Sequence, residues 1–324
     1  MGSYGNGMTL EASVRVYAWR DQPPLPSTPP PGPVDLATWR LLWRVYAIRP
    51  NRVRMMARHL GLTGGDPVSL RELGREHRLS SARMAAIKDR VVRAAMSVGP
   101  PVSLRSLVER LPVVGLRFAD DLIADLIADE LLAEPLSLQA IRAIAELYGL
   151  NARIPEALAV IDGRQLVASP EMAVAIRLWR SRIAVASLIA PVTLANLPPP
   201  QGVPARLTRP LLESDARLAC SEDTKVVWRV DRLCSAGDIV LRMLTNGPQR
   251  LSTLQRAVTR RYAGRYTGGE FRPPSVEALG VYLASQSWVA VSGEVASLVA
   301  PAPPLLTGAE RVFLDGVAGA SDDS

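Results

Sequence analysis

Residues 49–96 decide how this chain is interpreted: RPNRVRMMARHLGLTGGDPVSLRELGREHRLSSARMAAIKDRVVRAAM. After residue 67, two stretches with helical apolar spacing are separated by a turn at residues 77–79. This pattern predicts a helix-turn-helix. The apolar set that would close its core is Leu70, Leu73, Leu79, Met84, Ile87 and Val91.

The residues before this motif predict two more helices. Residues 49–61 form one of them, with Pro50 at the tolerated first turn and Gly61 as the C-cap. Residues 34–48 form the other, and spacing of i, i+3, i+4 predicts a single apolar stripe along it. The stripe consists of Leu36, Trp39, Leu42, Trp43 and Tyr46.

Positive charge is concentrated in the same segment. The chain of 324 residues has a formal net charge of +7 and an isoelectric point near 9.9. Residues 49–96 hold eleven basic and four acidic residues, so their surplus equals that of the whole chain. Clustered arginine favours a polyanionic partner. The segment therefore predicts binding to nucleic acid.

The order of these elements resembles region four of the bacterial primary sigma factor family. That family has an arginine-rich helix ending in Gly-Leu, a polar loop, a Ser/Thr-Leu-x-Glu-apolar-Gly helix, a short turn and a recognition helix. The matching parts here are Gly61-Leu62, residues 63–67, residues 69–74, the turn at 77–79 and residues 80–87. The resemblance covers 48 of the 324 residues. It implies a helix-turn-helix that docks on double-stranded DNA.

The face of the second helix opposite the apolar set is predicted to contact DNA. Small side chains let a helix approach the floor of the major groove, and arginines at its edges reach phosphates. Where the sigma family commonly reads bases with charged or amide groups, this chain has Ser81, Ala82, Ala85 and Ala86, which implies low or altered sequence specificity. The predicted DNA-binding residues in this segment are Arg71, Arg75, Ser80, Ser81, Arg83, Lys88 and Arg90.

Composition favours a mainly α fold, because aromatic residues make up only 5% of the chain and Ala, Leu and Arg dominate. We expect tandem helix-turn-helix and winged-helix units with short β-hairpin wings. The expected segments are a flexible tail and Pro-rich linker (1–33), the sigma-like domain (34–98), an acidic, winged-helix-like helical domain (99–197), a Pro-containing connecting segment (198–236), a C-terminal winged-helix domain (237–305) and a tail (306–324).

A local motif recurs at residues 66, 100 and 248, where a proline-bearing turn leads to a serine near the start of a short amphipathic helix. Serine is a good N-cap residue. Ser69 and Ser103 are 34 residues apart, a spacing that also occurs in helical solenoids. The irregular spacing of the residues that follow favours successive units that share a local motif.

The middle domain has the opposite charge, with four basic and eight acidic residues between residues 101 and 150. Its predicted acidic helix, residues 119–134, would be repelled by phosphates. The apolar residues of this helix (Leu122, Ile123, Leu126, Ile127 and Leu131) are expected to pack against RNA polymerase, another protein or a second copy in a homodimer.

Asp121, Asp125 and Asp129 of that helix have i, i+4, i+8 spacing, which could chelate a divalent ion. No second acidic motif accompanies them, so a solvated helix face is preferred and no metal is expected. A weak hairpin signal follows at residues 159–169, with its turn at Asp162-Gly163.

The C-terminal domain has the clearest winged-helix pattern. Three helices are predicted at residues 237–246, 251–262 and 274–286, and a hairpin follows with its turn at residues 292–294. Arg260, Arg261 and Arg265 cluster before the third helix and are candidate phosphate contacts.

Other function classes lack a signal. No nucleotide-binding, hydrolase or zinc-protease motif is found, so no cofactor is expected and the chain is predicted not to be an enzyme. Cys220 and Cys234 are expected to be reduced core residues. The N-terminus has no secretory pattern, and no apolar run reaches the ~20 residues of a membrane span, which favours the cytoplasm.

The sequence thus predicts a DNA-binding transcriptional regulator or accessory factor. The alternative is a tandem winged-helix adaptor that binds only proteins, such as RNA polymerase or an effector. A metal-dependent enzyme built on the acidic helix is the third class.

Overall fold

The computed structural model describes residues 32–113, 115–223, 225–262, 272–299, 302–310 and 312–313. Within them the chain is mainly helical, with three small antiparallel sheets of three strands each. It forms two compact units. The first comprises the chain up to Ala157 together with Arg164–Pro170, and the second comprises Leu158–Gly163 and the chain from Glu171. No helix in the described part of the chain has the length and hydropathy required to cross a membrane.

Among its described residues the first unit contains seven helices, β1, β3 and the first two residues of β2, whose remaining residues belong to the second unit. These three strands form a sheet of order β1-β3-β2. The elements are α1 (Val34–Tyr46), α2 (Pro50–His59), α3 (Leu70–Glu76), α4 (Ser81–Val98), α5 (Val102–Arg110), a 3-10 turn (Leu111–Val113), β1 (Arg117–Phe118), α6 (Ala119–Ala128), α7 (Leu138–Leu147), β2 (Glu156–Ile161) and β3 (Arg164–Ala168).

The predicted helix-turn-helix is present as α3 and α4. Ser69 and Ser80 are the two N-caps, since their hydroxyl oxygens accept hydrogen bonds from the backbone N–H groups of Glu72 (3.2 Å) and Arg83 (3.3 Å). His77 forms the C-cap of α3, within the predicted turn. The predicted core is also confirmed, because Leu73, Met84, Ile87 and Val91 are buried in one cluster and the half-buried Leu70 and Leu79 pack against it.

Helix α2 ends at His59 with Leu60 as its C-cap, and the predicted C-cap Gly61 is the next residue, with a φ of +74° that favours glycine. A Cβ at this position would lie 2.6 Å from the Cβ of Ala140 on α7. The glycine therefore serves two purposes, since it reverses the chain and also allows α7 to approach closely.

The predicted domains 34–98 and 99–197 do not have separate cores. A single apolar cluster runs from Val34 to Val167. Asp35, which is only 3% exposed, accepts hydrogen bonds from the backbone N–H groups of Ala133 (2.9 Å) and Glu134 (3.2 Å). The expected boundary near residue 98 is therefore a connection inside one unit.

Two predicted features of α1 and α5 are wrong. The buried face of α1 is shifted from the predicted stripe, because Leu36 is 41% exposed while Ala37 and Leu41 are buried. On α5 the N-cap position is Pro101, and the Ser103 hydroxyl instead donates to the carbonyl oxygen of Gly32 (2.7 Å). The shared local motif therefore does not give equivalent helix starts.

The acidic helix is also shorter than predicted. It ends at Ala128, and Glu130 has a φ of +57°. Its apolar residues Leu122, Ile123 and Leu126 are buried in the core of the first unit. The predicted apolar surface for RNA polymerase or a second copy is therefore already occupied by the chain itself.

The second unit contains two sheets, with strand orders β4-β6-β5 and β7-β9-β8. Its helix α9 (Ala205–Glu213) and strands β5 (Leu218–Cys220) and β6 (Val226–Arg229) lie where only a connecting segment was expected, because Pro204 precedes α9 at its N-cap and Pro210 is accommodated inside the helix. The elements from Pro170 onward are α8 (Pro170–Ala186), β4 (Val192–Thr193), α9 (Ala205–Glu213), β5 (Leu218–Cys220), β6 (Val226–Arg229), α10 (Ser235–Leu244), β7 (Gln249–Arg250), α11 (Leu251–Tyr262), α12 (Val276–Ala284), β8 (Val289–Ser292) and β9 (Val295–Leu298).

One succession of elements occurs twice along the chain. Helix, short strand, two helices and a hairpin follow one another from α5 to β3 and again from α10 to β9. In both sheets the first strand pairs with the last strand of the hairpin. Both predicted hairpins are confirmed, with turns at Asp162-Gly163 and Gly293-Glu294.

Candidate nucleic-acid interface

Helix α4 presents two different faces. Met84, Ile87 and Val91 are at most 3% exposed and face the core of the first unit. The remaining positions of the first three turns are exposed to solvent. They include the predicted contact residues Ser81, Arg83, Lys88 and Arg90 together with Ala82, Ala85, Ala86 and Asp89. The charged and small residues are thus brought to one surface, as the sequence predicted.

Ser80 lies at the start of this surface, where its role is partly structural. Its hydroxyl oxygen caps α4 by accepting from the Arg83 N–H. A serine hydroxyl has one donor hydrogen and two acceptor lone pairs. The O–H donor of Ser80 thus remains the group that could reach a phosphate oxygen.

A basic cavity of about 380 Å³ lies beside the turn between α3 and α4. Arg71, Arg75 and Arg78 line it with Ser81 at the start of α4. Leu70, Gly74 and Leu79 form the rest of its wall. Three guanidinium groups, a hydroxyl and the positive end of an 18-residue helix make this cavity suitable for an anion such as phosphate.

Arg78 adopts a left-handed backbone conformation in that turn, with a φ of +53°. This region is unfavourable for a residue with a Cβ by roughly 1 kcal/mol. Glycine would fit the backbone without that cost. The chain instead has an arginine whose side chain lines the basic cavity.

The cations of this surface are not neutralised by neighbouring acids. Among the described residues, no carboxylate forms an ion pair with Arg71, Arg75, Arg83, Lys88 or Arg90. Arg58 is different, because it pairs with Glu76 at 2.6 Å and joins α2 to α3. The surface therefore carries positive charge that is available to an external anion.

His59 holds the loop before α3 against α2. Its Nδ1 lies 2.8 Å from the carbonyl oxygen of Val68, so Nδ1–H is the donor. Burial lowers the pKa of His59; the hydrogen bond to Val68 opposes this change, and the nearby charge of Lys88 adds to it. The neutral imidazole is therefore the form that the folded unit favours.

Helix α7 is the third helix in the succession from α5 to β3. It is packed within the first unit and is not free to enter a DNA groove. Its residues Ala140, Ile141, Ile144 and Ala145 are completely buried. The helix packs against α4, and the hydroxyl of Ser137 at its N-cap donates to the Gly65 carbonyl oxygen (3.3 Å). Helix α7 thus supports the helix-turn-helix from within the same unit.

The three carboxylates whose spacing could chelate a metal ion each form an ion pair with a different arginine. The ion pairs are Asp121 with Arg164, Asp125 with Arg117 (2.6 Å) and Asp129 with Arg110. Arg164 also lies over the Phe118 ring, 4.2 Å from its centre. No cluster of metal-ligating side chains occurs within the part of the chain that the structure describes. The acidic helix is thus held by local ion pairs.

In the second unit, Arg260 and Arg261 are exposed at the end of α11. Arg265 lies outside the described residues. The following helix α12 exposes Val276 (40%) and Glu277 near its start. Its surface therefore lacks the basic character of α4.

Both cysteines are buried and free, as the sequence predicted for Cys220 and Cys234.

Comparison of the chain with protein-family models, with curated proteins and with solved structures finds no significant match. The resemblance to sigma region four therefore stays a prediction, and the geometry of the first unit carries the functional argument.

Three arginines were missed as candidate residues. Arg78 was counted in the basic surplus and placed in the turn, but its left-handed conformation and its position in the wall of the cavity appear only in the structure. Arg49 and Arg52 were counted in the basic surplus, but the position of Arg52 over the Tyr46 ring depends on the packing of α2 against α1 and leaves no local signal.

Proposed function

We propose that this chain binds double-stranded DNA by placing the first half of α4 in the major groove. One observation carries the proposal. The apolar face of α4 is buried, and its exposed face has small side chains flanked by cations that pair with no described carboxylate. A helix with small residues approaches the base edges closely, while arginine and lysine at its borders reach phosphates.

The proposed contacts give affinity more than sequence discrimination. Ala82, Ala85 and Ala86 occupy the exposed centre of α4, so Arg83 is the long side chain best placed to read a base. A bidentate side-chain contact provides about 1–3 kcal/mol of discrimination. We therefore propose a transcriptional regulator or accessory factor with low or altered specificity that acts in the cytoplasm and needs no catalysis.

We further propose that the two repeated successions, α5 to β3 and α10 to β9, are winged-helix units. The first braces the DNA-binding helix through α7. The second offers Arg260 and Arg261 at the end of α11 as additional phosphate contacts.

A competing function is a protein adaptor, and a specific observation favours it. Neither helix in the third position of these successions carries a basic surface, because α7 is largely buried and α12 exposes Val276 and Glu277. Such units often bind other proteins. An adaptor for RNA polymerase or an effector would use these surfaces without contacting DNA.

Fluorescence anisotropy with a labelled duplex of about 30 base pairs separates the two functions. The wild-type chain should bind at low salt, and binding should weaken steeply towards physiological salt. A variant with Arg71→Ala, Arg75→Ala, Arg83→Ala and Lys88→Ala should lose at least about 100-fold in affinity. The control variant, Arg105→Ala with Arg142→Ala, removes exposed arginines of the same unit and should bind within about threefold of wild type. Absence of duplex binding at every salt concentration would favour the adaptor.

A further inference from the structure

We propose that Arg49, Arg52 and Arg90, arranged around Tyr46, form a second phosphate-binding site that holds the DNA strand opposite to the one held by the cavity of Arg71, Arg75 and Arg78. The inference rests on the proposed function. It assigns a ligand, the phosphodiester backbone of the second strand, to Arg49 and Arg52, which the helix-turn-helix pattern did not single out, together with the predicted contact residue Arg90.

The geometry around Tyr46 is specific. The Cζ atoms of Arg52 and Arg90 lie 5.8 and 5.7 Å from the centre of its ring. The tyrosine itself is 2% exposed and is fixed by a hydrogen bond from its hydroxyl to the Ile87 carbonyl oxygen (2.6 Å). Stacking on an immobile ring restricts both guanidinium groups, so less side-chain freedom is lost when they bind an anion.

The cluster has an excess of positive charge. Burial lowers the pKa of Arg52, and the charges of Arg49, Arg83 and Arg90 lower it further. Burial raises the pKa of Tyr46, although the positive charges of Arg52 and of these three arginines act to lower it. No carboxylate among the described residues pairs with Arg49, Arg52 or Arg90. A bound anion would relieve the repulsion among these groups.

Helical periodicity places the two basic groups on opposite flanks of α4. At about 100° per residue, Arg83 and Arg90 share one flank, the side of Tyr46. Ser81 and Lys88 share the other, about 160° away by the same spacing, and Ser81 lines the cavity of the α3–α4 turn. A helix with side chains is about 10–12 Å across, and the major groove is about 12 Å wide. Cations on both flanks of α4 would therefore meet the phosphates on both edges of the groove.

Salt dependence of duplex binding tests this arrangement. The slope of log K against log salt concentration becomes shallower by about 0.9 for each phosphate that the protein no longer neutralises. Arg49→Gln with Arg52→Gln should therefore lower the slope by about 1–2 and weaken binding at least about tenfold at physiological salt. Arg71→Gln with Arg75→Gln should have a similar effect, and the control Arg105→Gln with Arg142→Gln should have none.

Phosphate ethylation interference identifies the strand. Wild-type protein should be blocked by ethylation at two groups of phosphates, one on each strand across a single major groove. Arg49→Gln with Arg52→Gln should abolish interference on one strand alone, and Arg71→Gln with Arg75→Gln on the other. A wild-type pattern confined to one strand, or an unchanged slope in Arg49→Gln with Arg52→Gln, would overturn the second site while the proposed function stands. A wild-type chain without duplex affinity would overturn the proposed function itself.

Discussion

The hydroxyl of Tyr46 donates a 2.6 Å hydrogen bond to the carbonyl oxygen of Ile87, which joins the end of α1 to the first half of α4. The two residues are 41 positions apart and both are buried. The contact adds to the packing of α1 against α4, in which Met84 and Ile87 are buried and the opposite face of α4 is left exposed.

Tyr46→Phe tests the structural part of this contact. The ring remains available for Arg52 and Arg90, whereas the hydrogen bond is removed. We expect the free energy of unfolding to fall by about 1 kcal/mol, measured by urea denaturation, with duplex affinity changed less than about threefold. A loss of affinity as large as that of Arg49→Gln with Arg52→Gln would show that the hydroxyl, and not the arginines, is the main contributor.

Arg78→Gly tests the strain in the α3–α4 turn. Glycine adopts a positive φ without the Cβ penalty, so thermal unfolding should show equal or higher stability, by up to about 1 kcal/mol. Duplex binding should weaken, because a guanidinium group leaves the basic cavity. Arg78→Ala is the matched comparison, since it removes the same charge but keeps the Cβ. Lower stability of Arg78→Gly than of Arg78→Ala would contradict the assignment of strain.

Asp35→Ala tests whether α1 and the segment after α6 belong to one cooperative unit. The change leaves the buried N–H groups of Ala133 and Glu134 without their acceptor, which should lower the free energy of unfolding by about 2–3 kcal/mol. Leu36→Ala is a control on the exposed side of the same turn and should cost less than about 1 kcal/mol. Equal effects of the two substitutions in urea denaturation would argue against the contact.

His59 should make the stability of the unit depend on pH. Its pKa in the folded chain lies below the unfolded value of about 6.5, so the unfolded state takes up the proton first as the pH falls. The free energy of unfolding should be constant well above about pH 6.5 and should decrease as the pH falls through that value. His59→Gln should remove this part of the pH dependence. A His59 pKa at or above about 6.5 in an NMR titration would contradict the expectation.

Local sequence patterns predicted much of the first unit. Residues that act through their immediate neighbours, such as the cap Ser69 and the chain-reversing Gly61, were placed to within one position because capping and chain reversal depend on a few adjacent residues. The exposed face of α4 followed from helical periodicity, since burial of Met84 and Ile87 determines which residues point outward.

Features that depend on distant contacts were missed. The apolar residues of α6 were interpreted as a free surface because the pattern shows that a helix face is apolar but not what covers it. Similarly, Ser103 had the composition of an N-cap, yet tertiary packing gave its hydroxyl a partner at Gly32 and moved the helix start to Pro101. The pairing of the acidic residues with Arg117 and Arg164 required the fold of the first sheet.

Directed DNA cleavage from α4 tests the central claim most directly. Cys220 and Cys234 are buried, so a cysteine introduced by Ala86→Cys is the accessible thiol for attachment of an iron chelate that generates hydroxyl radicals. The account predicts cleavage of a bound duplex within a few nucleotides of one major groove, and no localised cleavage from the control Gln139→Cys on α7. Protein that binds the duplex but produces no localised cleavage from position 86 would contradict the placement of α4 in the groove.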